Sequence, residues 1–180
     1  TAYAAGAVRV LKNHGDGTFA PPASFAAGPA PARLVPADLN GDGLPDLAVV
    51  GDWESGVDTV RVLLQEGSGS FSPPVEYSAG NYPTRIAAAD LNGDGMTDLA
   101  VTVPLANAAR VLWNDGSGAF PTHSDLPASS APQQLGAADL DGDGVTDLAL
   151  TLGGNAVSVL LNNGDGSFAA GVDHPTDHWP

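Results

Sequence analysis

The sequence predicts an all-β fold built from radially set, four-stranded antiparallel blades, a β-propeller, and three observations predict it. A carboxylate-rich loop returns three times, as ADLNGDGLPDLAVV from Ala37, AADLNGDGMTDLAV from Ala88 and AADLDGDGVTDLAL from Ala137. Its first Asp falls at Asp38, Asp90 and Asp139, so the steps are 52 and 49 residues, the length of one small sheet. A second motif keeps the same register: NHGDGTF ending at Phe19, QEGSGSF at Phe71, NDGSGAF at Phe120 and NNGDGSF at Phe168. Third, the apolar runs are four to eight residues long and bounded by Gly, Asn or Asp, which is strand length and too short for a helix. A chain with such a period is read as stacked units, none of which buries its apolar face alone.

Each unit opens at a proline, Pro31, Pro83 or Pro132, with a strand leading into the acidic loop: PARLVPAD, PTRIAAAD and PQQLGAAD. These runs are rich in Ala and Gly (Ala87, Ala88, Ala89; Gly136, Ala137, Ala138), as expected where strands crowd around an axis. The second strand follows the loop as DLAVV, DLAVT or DLALT, and its lack of apolar/polar alternation predicts cover on both faces. The third strand is TVRVLL, ARVLW or AVSVLL, with AVRVLK in the first unit. The N-x-G-x-G-x-F turn then leads to a fourth strand, its glycines supplying the backbone freedom of a tight hairpin.

The units fall at 31–82, 83–131 and 132–180, preceded by a partial one at 1–30. Thr1 to Phe19 aligns without a gap on Thr102 to Phe120, so the partial unit lacks its acidic loop, and Pro180 matches the first residue of a further unit. Three units and a part fall short of the 4 to 8 blades with which propellers typically close. The expectation is a piece of a longer chain, with a ring completed by further copies of this one as the alternative.

Within each loop, oxygens recur at positions 1, 3, 5 and 9: Asp38, Asn40, Asp42, Asp46; Asp90, Asn92, Asp94, Asp98; and Asp139, Asp141, Asp143, Asp147. Position 7, at Leu44, Met96 and Val145, offers a backbone carbonyl. Alternate residues of a tightly curled loop can converge on a hard cation that wants six to eight oxygens, and three Ca2+ sites are the expectation. An EF-hand is excluded at position 12, where a bidentate Glu would stand and Val49, Val101 and Leu150 are found. Magnesium suits a flexible all-protein cage less well.

Lys+Arg 6 against Asp+Glu 21 gives a net charge of -15, which argues against nucleic acid or an anionic membrane as a partner. Ten of the acidic residues lie in the three loops, so three bound Ca2+ would take -15 to -9. The absence of cysteine excludes disulfides and thiolate metal sites, leaving calcium as the available staple. Loops of this kind fill where calcium is abundant, so the expected location is extracellular or at the cell surface. No apolar run reaches the ~20 residues of a membrane-spanning helix, and there is no Asn-x-Ser/Thr acceptor.

The block DLNGDGxxDLAV, followed some twenty-odd residues later by N-x-G-x-G-x-F, resembles the FG-GAP and VCBS repeat families over the whole chain. Those repeats occur in integrin alpha-subunit-type propellers, in bacterial surface proteins and in calcium-containing fungal lectins. The integrin-type Phe-Gly and Gly-Ala-Pro marks are not evident, so the VCBS side fits better. The resemblance implies a seven-bladed ring with calcium in the hairpin between the first two strands of each blade, and it implies no particular ligand.

No enzyme is expected, because His14, His123, His174 and His178 form no recognisable triad with a nucleophile. His174 and His178 with Asp173 and Asp177 read as an exposed tail rather than a transition-metal site. Three functional readings follow: a calcium-stapled structural or adhesion module with a protein ligand, a lectin-type carbohydrate-binding module, and a non-catalytic domain of a larger secreted enzyme. For the second, the candidate sugar-stacking aromatics are Trp53, Tyr82, Trp113 and Trp179, none of which repeats in all units.

Overall fold

A computed structural model describes residues 6–51 and 58–177. Short apolar runs separated by Gly-rich turns become three sheets of four antiparallel strands in consecutive order. The first comprises β3 (Pro31–Ala37), β4 (Asp46–Gly51), β5 (Thr59–Leu63) and β6 (Val75–Ser78). The second comprises β7 (Ile86–Ala89), β8 (Asp98–Val103), β9 (Ala108–Trp113) and β10 (Thr122–Pro127). The third comprises β11 (Pro132–Ala138), β12 (Asp147–Leu152), β13 (Ala156–Leu160) and β14 (Val172–Pro175), and ahead of them β1 (Ala7–Val10) pairs with β2 (Ala23–Ala26). Among the described residues these are propeller blades, three of them four-stranded and one two-stranded.

β4 and β8 are buried along their whole length, which is why DLAVVG and DLAVTV show no alternation: both faces of each sheet meet a neighbour. Leu39, Val50, Val62, Val101 and Leu112 share one core between the first and second four-stranded blades. Leu91, Val111, Leu148 and Leu150 form the next, between the second and third. Val8, Leu47, Val49 and Leu63 form a third core, beside the two-stranded sheet. The small-residue strand β7 packs beside both β3 and β11, so the first strands gather at the centre of the array.

The up-and-down order sorts the connections into two ends. The acidic loops and the N-x-G-x-G-x-F turns share one end, and the β8–β9 connection and the inter-blade linkers share the other. At that second end Arg61, only 1% exposed, pairs with Glu76 across the strand and donates to the carbonyls of Ala27 and Pro29 in the preceding linker. Gly28 is favoured there, because its backbone is left-handed (φ 75°) and a Cβ on it would overlap Arg61 Nε. Arg110 and Asp125 repeat the cross-strand pair one blade on.

Candidate metal centres

The acidic loops adopt one conformation in three places, and their own side chains impose it. In the first, Asp38 accepts the amides of Gly41 (2.8 Å) and Gly43 (2.8 Å), one on each carboxylate oxygen. Asn40 Oδ1 accepts Asp42 N, and Asp42 Oδ1 accepts Leu44 N. Asp90 and Asp139 make the same bonds to Gly93 and Gly95, and to Gly142 and Gly144. Asp94 and Asp143 likewise accept Met96 N and Val145 N. The side chains therefore curl the backbone around themselves, a local alternative to sheet pairing that Asp and Asn favour.

Asp46, Asp98 and Asp147 close the loops from the first residue of β4, β8 and β12, and they are buried. Each uses Oδ2 to accept the amide of the residue after the first Asp (Leu39, Leu91, Leu140). Each uses Oδ1 to accept the amide that opens the turn of its own blade (Gln65, Asn114, Asn162). Each oxygen keeps a second lone pair. Burial pushes the Asp98 carboxyl up to about 6, opposed by the bonds from Asn114 and Leu91 and reinforced by the nearby carboxylates of Asp94 and Asp90. Asp46 is raised for the same leading reason.

Two observations test whether a hard cation fits. Carboxylate oxygens of Asp139, Asp141 and Asp147 lie within 4.8 Å of one another, close enough to share one ion. Among the described residues the ion pairs are Arg61–Glu76 and Arg110–Asp125, so no basic side chain neutralises the loops. An all-oxygen donor set converging without a countercharge fits Ca2+. The first two loops carry Asn40 and Asn92 at position 3 but share the hydrogen-bond pattern of the third. Leu44, Met96 and Val145 bring their amides into these bonds, and the Met96 side chain lies against Gly116.

The aromatic candidates are not brought together. Trp113 is half-buried against the core shared by β8, β9 and β12, its indole N–H donates to Ser124 Oγ, and its ring covers Gly166 of the next blade. It is a packing residue between blades. Tyr82 is half-buried in a left-handed backbone conformation (φ 58°), with its amide donating to Asp58. Trp53 and Trp179 lie outside the described residues.

Sequence reasoning missed the role of Asn114 and Asn162. Asn114 Nδ2 donates to Leu39 O of the preceding blade (2.8 Å) and to Thr97 O of its own (2.8 Å), while Oδ1 accepts Gly116 N. Asn162 repeats this with Leu91 O, Thr146 O and Gly164 N. The available signal was Asn at the head of three of the four turn motifs. Leu39 and Leu91, each 1% exposed, lie under these turns, whereas Leu140 is 47% exposed with no described blade over it.

Comparison with known proteins follows the same repeat. The profile of the FG-GAP-like repeat matches residues 1–49, 38–101 and 90–150. No curated protein matches the chain. Among solved structures, an Agrocybe aegerita lectin, described as recognising non-reducing terminal N-acetylglucosamine, superposes with a TM-score of 0.68 at 24% identity. The match covers 96% of this chain and 47% of the lectin, so the chain spans about half the length of that relative. A Photorhabdus luminescens Tc holotoxin pore aligns over 79% of this chain and 7% of its own, at 28% identity and a TM-score of 0.49. Repeat profile, blade order and loop geometry agree, and the chain belongs to the FG-GAP-like repeat family.

Proposed function

We propose that the chain is a non-catalytic, extracellular calcium-binding propeller module with a structural or adhesive role, each acidic loop holding one ion. The observation that supports this most is the set of buried carboxylates, Asp46, Asp98 and Asp147, aimed into loops that contain no basic side chain. A bound Ca2+ supplies the missing positive charge and a fixed centre for the loop oxygens. The residues do the rest: Asp38, Asp90 and Asp139 hold the curl, and the position-9 carboxylates tie it to the second strand and to the turn. Calorimetric titration with calcium tests the reading, with three binding equivalents expected, and one lost on Asp90→Ala with Asp94→Ala. No heat of binding at millimolar calcium would overturn it.

A cavity of about 240 Å³ favours a second, compatible activity. It lies at the end opposite the loops, between the linker residues Gly80 and Asn81 and the Val103, Leu105, Arg110 and Asp125 side of the next blade. Its paired Arg110 and Asp125 offer donors and acceptors beside apolar surface, the mixture that binds sugar hydroxyls. The Agrocybe lectin makes N-acetylglucosamine the first sugar to try. Binding that disappears in Asn81→Ala and Arg110→Ala supports a lectin activity, and no binding by the unaltered chain removes it.

A further inference from the structure

The acidic loops are joined to one another by an unbroken run of hydrogen bonds. In the first loop, Leu39 N donates to Asp46 Oδ2 (2.9 Å), while its carbonyl accepts Asn114 Nδ2 from the next blade. Asn114 in turn donates its own backbone amide to Asp98 Oδ1 (2.8 Å), the closing carboxylate of the second loop. Its second side-chain N–H holds the carbonyl of Thr97, the residue before Asp98. The pattern then repeats: Asp98 Oδ2 accepts Leu91 N, Leu91 O accepts Asn162 Nδ2, and Asn162 N donates to Asp147 Oδ1. Asn162 also holds Thr146 O, beside Asp147.

From this geometry we infer that Asn114 and Asn162 couple neighbouring loops, so that a cation in one strengthens binding in the next. The inference rests on the calcium reading of the loops and adds how the sites communicate. Asn114 is 6% exposed and Asn162 4%, and each has both side-chain N–H groups and Oδ1 engaged, so neither can shift without breaking a buried bond. Fixing Asp38 and Asp46 around an ion fixes the Leu39 peptide between them. The Leu39 carbonyl then fixes Asn114, and Asn114 fixes both the backbone and the carboxylate at Asp98. The second loop is left with less ordering to do, and a shared ordering cost of this kind is positive cooperativity. These asparagines are positioning residues: they contact the ligating groups and no cation.

A double-mutant cycle read at one loop tests the coupling. Trp113 and Asn92 both lie against Gly166, so Trp113 sensitises terbium emission from the Asp90–Asp98 loop. All variants carry Trp53→Phe and Trp179→Phe to leave Trp113 as the donor, and Asp139→Ala with Asp143→Ala to silence the third loop. With Asn114 present, disabling the first loop by Asp38→Ala and Asp42→Ala should weaken terbium binding at the second about fivefold. With Asn114→Gln the same disabling should change it less than about 1.5-fold, and Asn114→Leu should behave alike. Gln65 holds this place in the first complete blade, so Asn114→Gln keeps the test alive if Asn114→Leu does not fold. An equal penalty in every background, or none with Asn114, overturns the coupling alone. Absence of any terbium or calcium binding removes the calcium reading and the coupling with it.

Discussion

Asp46, Asp98 and Asp147 occupy one position in three blades, and burial acts on the Asp98 carboxyl. Burial and the carboxylates of Asp94 and Asp90 raise it from 3.8 to about 6 in the folded chain, and Asp46 moves in the same direction. Because the folded state holds these protons more tightly than the unfolded state, their contribution to stability is full below the unfolded value. It is lost as pH rises through the folded one. Asp16, Asp115, Asp125, Asp165 and Asp173 are lowered by their hydrogen bonds, so they destabilise the fold only at lower pH. In chelator, the melting temperature should therefore rise as pH is taken from 7 down to about 4.5, since the Asp98 carboxyl takes up its proton there. In excess calcium the slope should reverse, because a ligating carboxylate must be ionised and the proton competes with the ion. Melting curves in EDTA and in calcium across that window check this, and parallel slopes would defeat it.

At the scale of loops and blades, Gly41 and Gly93 separate backbone conformation from inter-blade contact. Both stand at position 4 of the loop with nearly equal torsions, φ 75° and φ 76°. A Cβ on Gly41 would meet open space, whereas on Gly93 it would lie 2.7 Å from Gly164 O in the turn of the next blade. Gly41→Ala should cost about 1–2 kcal/mol for the left-handed backbone alone. Gly93→Ala should add about 1–3 kcal/mol of overpacking between blades, read as the difference in urea midpoints. Equal costs would mean that the blades are not closely packed there. Strands β3 to β14 and the curl of the loops were legible in the sequence because both are local: strand length, flanking turns and Asp-to-amide bonds lie within about ten residues. The work of Asn114 was not legible, because its carbonyl partner Leu39 lies 75 residues away in another blade. Trp113 was undecided for a related reason: an aromatic in place of Lys12, Leu64 and Leu161 reads equally as blade packing or as an exposed platform until Gly166 is seen beneath it.

Across the whole molecule, a net charge of -15 with ten acids gathered at one end of the blades sets self-repulsion against a modest core of Val, Leu and Ala. Any dissolved salt relieves such repulsion by screening, so stabilisation by calcium chloride alone would not distinguish site binding from an ionic atmosphere. The two differ in concentration dependence. A site that binds only the folded state contributes RT ln(1 + [L]/Kd), about 2.7 kcal/mol at 100 Kd, and it acts at millimolar ion over a background of 0.15 M sodium chloride. Screening is already near its limit in that background, where the Debye length is about 8 Å. Adding 2 mM calcium to the EDTA-treated chain in 0.15 M sodium chloride should therefore raise the melting temperature by several degrees, about 2–4 °C for each kcal/mol at this chain length. The same addition of magnesium should do less, because the smaller ion demands near-ideal octahedral geometry and gives up its water reluctantly. Equal melting in EDTA and in calcium would sink the structural role of the loops. A rise that sodium reproduces at matched ionic strength would assign the effect to the charge of the molecule rather than to its three loops.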